Sequence, residues 1–383
     1  MSPDEVIILR FIVTGGGTGG HIYPALAIAG GMQQRYPGCR IMYVGTARGL
    51  ESDLVPAVGI DFRAVRAVGI KRSLSLQNLK VPLEVVAGYR EARRLIRSFA
   101  PDAVVGTGGY VCGPVVLAAA RMKIPTLIHE QNALPGITNR ILSRFVDRVA
   151  VTFEDSLKHF PGQAKPRLTG LPVRSEVLTA GREAARTKYS VKDEELFVLS
   201  FGGSQGARSI NSAVASVAGW IAGRPDLKWL HVTGQGQYDS FMDMLKRKGD
   251  TPQQNRGAVE VPGNLIVQPY MYEMPDALAA ADLVVGRAGA ASIAEITVRG
   301  LPALLVPFPY ATANHQEHNA RALVDREAAV MILDAEFSGT GLAARLEELL
   351  GEPERLKAMA ASSRGLGKPR ALDDILDALA ELL

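Results

Sequence analysis

Two stretches of this chain share one pattern. "VIILRFIV" runs into Gly15-Gly16-Gly17-Thr18-Gly19-Gly20-His21 and then into "IYPALAIAGGMQQRY", while "ELFVLSF" runs into Gly202-Gly203-Ser204-Gln205-Gly206 and then into "ARSINSAVASVAGWIA". Each is an apolar strand, a glycine turn and a helix, the start of a Rossmann-like half. The two turns lie 187 residues apart (202 minus 15), and 383 residues are too many for one ordinary domain. The pattern therefore predicts two α/β domains, each a doubly wound parallel sheet.

The rest of the chain fits that frame. Strand-like runs ("RIMYVG", "DAVVGTGG", "PTLIHE", "DRVAVT") alternate with helical stretches up to about residue 160, and "PRLTGLPVRSEV" interrupts the periodicity with proline and glycine. The theme then restarts with "LKWLHVTGQG", "NLIVQPY", "ADLVVGRAGAASIAEITVRG" and "PALLVPFPY". We read a first domain over 1–168 and a second over 169–364. An amphipathic helix at about 365–383, "ALDDILDALAELL", is available to pack back on either half.

The first turn contains a literal G-x-G-x-x-G, but the dinucleotide reading also needs an acid at the end of the second strand. That strand ends in Gly45-Thr46-Ala47-Arg48, and the first acid, Glu51, lies beyond it. The second turn lacks the lysine of a P-loop, so triphosphate hydrolysis has no support. What remains is a pair of glycine turns opening helices, whose N–H groups and dipole suit an anion. The two cysteines, Cys39 and Cys112, form no disulfide framework, which fits a reducing compartment. No signal pattern begins the sequence, and its apolar runs are about half the roughly 20 residues of a membrane span. A net charge of +4 is too small to argue for nucleic acid.

Several clusters carry chemistry. His21 stands at the mouth of the first turn, where a base or hydroxyl ligand competes with a structural histidine. "LIHEQNALPGITNR" places His129, Glu130, Gln131 and Asn132 at the carboxyl end of a strand, where four polar side chains are poor packing material. "VVGTGGYVCGP" adds a third glycine turn. In "GRAGAASIAEI", two readings of Ser292 and Glu295 stay open: a capping box that closes the helix, or a carboxylate for ribose hydroxyls beside small residues admitting a diphosphate. "FPYATANHQEHNA" sets Asn314, His315, Gln316 and His318 in a loop suited to sugar hydroxyls, and no metal-binding motif accompanies them.

With these motifs in order ("GGGTGGHIYPALAIA", "GTGGYVCGP", "HEQNALPGITNR", "PVR", "FGGSQGARSIN", "RAGAASIAEI", "NHQEHNA"), the chain resembles the MurG family of peptidoglycan N-acetylglucosaminyltransferases nearly end to end. The resemblance implies a GT-B fold, two Rossmann-like domains facing a cleft, with inverting, metal-independent and cofactor-free transfer. Its implied substrates are UDP-GlcNAc as donor and lipid I, undecaprenyl-pyrophosphoryl-MurNAc-pentapeptide, as acceptor, with the enzyme peripheral on the cytoplasmic face of the membrane. Carried over by motif, the substrate-binding residues are Gly17, Thr18, Gly19, Gly20, Asn132, Arg174, Ser204, Gln205 and Met271, then Ala290, Ala291, Ser292, Ile293, Ala294 and Glu295, and finally His315 and Gln316. The catalytic base is His21 or Glu130. The family usually has Asn where this chain has Leu171, and Ser where it has Ala288. Rival readings on the same fold are a UDP-GlcNAc 2-epimerase or another glycolipid glycosyltransferase, and, outside enzymes, a UDP-sugar-binding protein.

One segment points to a partner surface. Residues 63–97 carry Arg63, Arg66, Lys71, Arg72, Lys80, Arg90, Arg93, Arg94 and Arg97 against Glu84 and Glu91, interleaved with Leu74, Leu76, Leu79, Val81, Pro82 and Leu83. Clustered cations with apolar neighbours suit an anionic membrane surface.

Overall fold

The computed structural model describes residues 8–68, 81–247, 253–255, 258–261 and 264–383. They form two compact units, Met1–Pro172 with Arg370–Leu383, and Val173–Pro369. The break lies beyond residue 168 because Thr169 and Gly170 still belong to the first sheet: both N–H groups donate to Val151 O (3.0 and 3.1 Å).

The first unit is built on seven strands, β1 (Arg10–Thr14), β2 (Arg40–Gly45), β3 (Asp61–Ala64), β4 (Ala103–Gly106), β5 (Thr126–Glu130), β6 (Arg148–Val151) and β7 (Pro166–Leu168). All pair in parallel, in the order β3-β2-β1-β4-β5-β6-β7. Parallel sheets are covered on both faces, which is why the strands read as unbroken apolar runs. Phe11 and Val13 point to one face, against Ala25, Ile28 and Met32 of the helix Gly19–Arg35, and Ile12 points to the other, against Ala92, Ile96 and Val115. The helix Ala371–Ala380 completes the first face through Ile375, Leu376 and Leu379, each fully buried aliphatic of this kind contributing about 1.5–3 kcal/mol. Gly31 makes room for it, since a Cβ there would stand 2.8 Å from Leu372 Cδ1. Arg35–Asp377 (2.5 Å) and Arg148–Glu381 (2.9 Å) pin its flanks.

The second unit contains β8 (Leu196–Phe201), β9 (Leu227–Val232), β10 (Gln253–Asn255), β11 (Ala258–Val261), β12 (Leu265–Gln268), β13 (Leu283–Gly286), β14 (Ala303–Leu305) and β15 (Ala329–Met331). Their order is β10-β11-β12-β9-β8-β13-β14-β15, with the β10–β11 and β11–β12 pairs antiparallel, so that β11 alone runs against the other strands. Its core includes a polar cluster: Trp229 Nε1 donates to Ser200 Oγ (2.7 Å), which is hydrogen-bonded to His231 Nδ1 (2.8 Å). Burial pushes His231 down to about 3, so the imidazole is neutral there.

Candidate active site

In the first unit the strand order reverses between β1 and β4, the kind of point at which open α/β sheets take ligands. The turns after β1 and β4 interlock there. Gly16 N–H donates to Gly108 O (3.3 Å), and a Cβ on Gly109, whose φ is +85°, would lie 2.2 Å from Gly16 O. Tyr43 Oη donates to Gly15 O (2.7 Å), and Thr107 Oγ1 donates to His21 O (2.8 Å). The third glycine turn is thus structural support for the first.

His21 sits in the first turn of the helix Gly19–Arg35, which no side chain caps and whose first turn holds no acid. Its Nδ1 lies 3.1 Å from Gly16 O and 3.3 Å from Thr18 Oγ1. A carbonyl oxygen only accepts, which assigns the ring proton to Nδ1 and makes Nε2 the basic nitrogen. Gly17, Thr18 and Gly20 are exposed beside it and Gly19 is half-buried.

Glu51, set aside in the sequence as misplaced for a ribose, is the residue that holds this turn. It is fully buried, and its carboxylate accepts from Gly17 N–H (3.2 Å), Thr46 N–H (3.0 Å) and Thr46 Oγ1 (2.7 Å). Glycine surrounds it: a Cβ on Gly16, Gly45 or Gly49 would lie 2.5, 2.6 or 2.2 Å from its side-chain atoms. Burial alone would push its carboxyl up, but the hydrogen bonds from Thr46 and the backbone outweigh that and hold it below the ordinary carboxylate range.

His129, Glu130 and Gln131 of the "HEQN" stretch are buried and Asn132 is half-buried, with side chains bonded to one another and to neighbouring segments. His129 Nε2 donates to Gly170 O (2.8 Å), and Gln131 Nε2 contacts His129 Nδ1 (3.0 Å) and Thr107 O (2.8 Å). Burial pushes His129 down to about 4. Glu130 is buried under the following loop, which it braces: Oε1 accepts from Asn132 N–H (3.0 Å), and Oε2 from Gly136 N–H (3.1 Å) and Asn139 Nδ2 (2.8 Å). Oε1 thus holds Asn132, and Oε2 holds the loop at Gly136 and Asn139. Burial raises the Glu130 carboxyl against those hydrogen bonds.

In the second unit the order reverses between β8 and β13. After β8, Ser204 and Gln205 are exposed on a turn held by neutral groups: Gln237 Nε2 donates to Gln205 O (2.8 Å), and Asn211 Nδ2 donates to Thr233 O (3.0 Å) and Gln237 Oε1 (3.1 Å). After β13, the helix Ala290–Arg299 starts on Gly289 with no side-chain cap. Ser292 lies inside the helix instead of at its cap, so the capping-box reading fails. Glu295 instead pairs with Arg174, whose Nη2 donates to Oε1 at 3.0 Å. Burial pushes the Glu295 carboxyl up, and Arg174 opposes that shift. Ala290, Ala291 and Ser292 line the helix start, whereas Ile293 and Ala294 turn their side chains into the core.

Arg287, which the sequence did not single out, ties this region together. Its guanidinium donates to Val306 O, Pro307 O, Asp334 Oδ1 and Ser209 Oγ at 2.5–3.1 Å. Beyond those carbonyls, Phe308 N–H donates to Gln316 Oε1 (2.9 Å), which turns the amide nitrogen of Gln316 into the available donor. His315 and His318 are on a helix, His315–Val324, not in a loop; His315 Nδ1 donates to Thr312 O (2.7 Å) and burial pushes its pKa down. Ala313 and Asn314 before it hold φ of 51° and 55°, strain of the kind stored at ligand sites. Met271 is buried against Tyr189 Oη (3.9 Å), between the exposed edge-to-face rings of Tyr270 and Tyr272. Leu171 and Ala288 are both buried. Among the described residues no three His, Cys, Asp or Glu side chains gather as a metal set.

Comparison with known proteins follows the same division. Residues 11–151 match the glycosyltransferase family 28 N-terminal domain and residues 197–375 the family 28 C-terminal domain. A protein of Desulforamulus reducens named UDP-N-acetylglucosamine--N-acetylmuramyl-(pentapeptide) pyrophosphoryl-undecaprenol N-acetylglucosamine transferase is 53% identical over 98% of this chain and 99% of its own. A protein of the same name from Desulforudis audaxviator is 53% identical over 98% of each. The crystal structure of Acinetobacter baumannii MurG superposes with a TM-score of 0.76 at 30% identity, covering 97% of this chain and 99% of that one. A UDP-GlcNAc 2-epimerase from Neisseria meningitidis shares the fold alone, at 15% identity and a TM-score of 0.64 over 98% of this chain and 100% of its own. With both halves matched in order and relatives aligned nearly end to end, this chain belongs to glycosyltransferase family 28, among the MurG N-acetylglucosaminyltransferases.

Proposed function

We propose that the chain transfers GlcNAc from UDP-GlcNAc to the muramoyl 4-hydroxyl of lipid I with inversion, giving lipid II and UDP. The observation that carries this reading is the near-full-length identity to transferases of that name. The acceptor O–H breaks, its proton passes to His21 Nε2, the oxygen bonds to the anomeric carbon, and the C–O bond to UDP breaks with its electron pair leaving on the diphosphate. The uncapped start of the helix Ala290–Arg299 and the Arg174 guanidinium stabilise that charge. With Arg174 on Oε1, Glu295 offers Oε2 to the ribose hydroxyls, and Gln316 donates to the sugar. Incubation with labelled UDP-GlcNAc and a lipid I analogue tests the reading: a disaccharide-lipid is expected, and free GlcNAc epimer or binding without product overturns it.

The acceptor's lipid asks for a membrane surface, and one side of the first unit offers it. No helix among the described residues is long and apolar enough to cross a membrane. The helices Val81–Phe99 and Ile137–Leu142 cover the same face of the sheet. Leu83 is 72% and Ile137 66% exposed, with Val85, Val86 and Ile141 also exposed among Arg90, Arg94, Arg97, Arg140 and Arg144. Lys71, Arg72, Leu74, Leu76, Leu79 and Lys80 lie outside the described residues. Basic residues near an anionic leaflet contribute roughly 1 kcal/mol each. Salt-sensitive sedimentation with phosphatidylglycerol vesicles, weakened by Leu83→Glu with Ile137→Glu, is the expected result. Binding indifferent to salt and to both substitutions rules this face out.

A further inference from the structure

The residue that holds the first turn and the residue proposed as base meet on one peptide bond. Gly17 N–H donates to Glu51 Oε2 (3.2 Å), and the carbonyl of the same amide, Gly16 C=O, faces His21 Nδ1 at 3.1 Å. We propose that Glu51 is a positioning residue for His21, acting through the Gly16–Gly17 peptide: the buried carboxylate polarises the amide, whose carbonyl then fixes the Nδ1–H tautomer and raises the basicity of Nε2. The arrangement is a carboxylate–histidine pair with a peptide inserted between its members. In a direct pair the carboxylate orients the ring and stabilises the imidazolium; hydrogen bonds in a chain polarise one another, so an amide can pass part of that effect on.

The surroundings favour transmission. The carboxylate is fully buried, where charge is poorly screened, and held in its ionised form by Thr46 and the backbone. The other titratable groups packed on the turn are neutral at working pH: burial raises the Tyr43 hydroxyl of β2, and pushes the Cys112 thiol of the helix Cys112–Arg121 up to about 12. Tyr23, on the helix of His21 itself, and Tyr110 and Arg48 on neighbouring turns are exposed to water. Glycine is required for the geometry, since a side chain on Gly16, Gly45 or Gly49 would displace the carboxylate, and one on Gly108 would meet the imidazole, 2.8 Å from Cδ2.

The inference rests on the base reading of His21 for its use, though not for its existence, and the experiment separates the two. In 15N-histidine-labelled full-length protein, two-bond 1H–15N correlation spectra report the tautomer and pKa of His21, assigned by its loss in His21→Ala. The wild type should rest with its proton on Nδ1. Glu51→Gln, which keeps the shape and removes the charge, should lower the His21 pKa by roughly half to one unit. Thr46→Val, which removes a hydrogen bond to the carboxylate but leaves the charge, should not. A ring proton on Nε2 in the wild type, an unmoved pKa in Glu51→Gln, or an equal fall in both variants overturns the relay. The acid limb of kcat/KM should move to lower pH with the His21 pKa; a pKa that falls while the limb stays leaves the relay standing and removes His21 as the base.

Discussion

The turns Gly15–Gly17 and Gly202–Gly206 follow the first strand of their respective sheets, at matching points in two similar topologies, and both open a helix. Their supports differ. The first is held by a buried carboxylate, with a histidine on the far side of the same peptide. The second is held by the amides of Gln237 and Asn211, with no side-chain charge in the brace. A fixed negative charge beneath a turn opposes a diphosphate but supports a base that must become cationic. A neutral brace leaves the helix-start field intact for an anion. Similar glycine patterns thus rest on supports of different charge, and on the proposed reading it is the support, not the turn, that separates a base from an anion site.

The comparison breaks most directly at His21. His21→Ala should lower turnover about 10²–10⁴-fold while UDP binding, which the proposed reading assigns to the second unit, stays near normal. An equal loss of UDP affinity would move His21 to the donor and erase the division of labour. Glu295→Ala should act in the reverse sense, lowering kcat/KM for UDP-GlcNAc roughly ten- to hundredfold, the 1–3 kcal/mol of a lost buried hydrogen bond. Its melting temperature should hardly change, because the helix Ala290–Arg299 has no side-chain cap to lose; a variant that melts early with normal kinetics contradicts this.

Each unit also carries one buried neutral imidazole, His129 at about 4 and His231 at about 3. Both values lie below that of the unfolded chain, about 6.5, so the unfolded state binds the proton first as pH falls. The stability is present above pH 6.5 and is lost on the way down to about pH 4 for His129 and about pH 3 for His231, by about 2 kcal/mol per histidine at pH 5. Both tryptophans, Trp220 and Trp229, lie in the second unit, so their fluorescence in urea at pH 7 and pH 5 reads that unit alone. A midpoint independent of pH counts against a neutral His231. The smallest effect is expected at the second brace: Gln237→Ala should raise the donor KM about fivefold, near 1 kcal/mol, and leave the acid limb of the pH profile in place. A shifted limb would mean that the second turn influences the base as well.

How much of this could be read beforehand follows from the range of the interactions. The two sheets were legible because strand, turn and helix periodicity is local, and the reversal points follow from sheet order. Glu51 was not, since its partner Gly17 is 34 residues away and the text around it, "GTARGLESD", shows only a turn and an acidic helix start. A hint was present in Gly45 and Gly49, whose hydrogens make room for the carboxylate. The burial of "HEQN" was not legible either, because His129, Glu130 and Gln131 spend their hydrogen bonds on Gly170, Thr107 and the loop at 132–139, contacts invisible in one dimension. Ser292 and Glu295 had capping-box spacing, yet the helix starts three residues earlier, on Gly289. Arg287 escaped because its four partners come from three separate segments.

The return of Arg370–Leu383 to the first unit has a consequence for the order in which the chain is made. Synthesis delivers the helix Gly19–Arg35 early and its cover last, with the whole second unit in between. Until Ile375, Leu376 and Leu379 emerge, Ile28, Met32 and the face around Phe11 wait without their partner. The second unit, by contrast, is continuous, and can close on itself as soon as its own strands are out. The unit translated first is therefore the unit finished last, and a nascent chain halted near residue 369 would hold a complete second unit and an unsealed first unit.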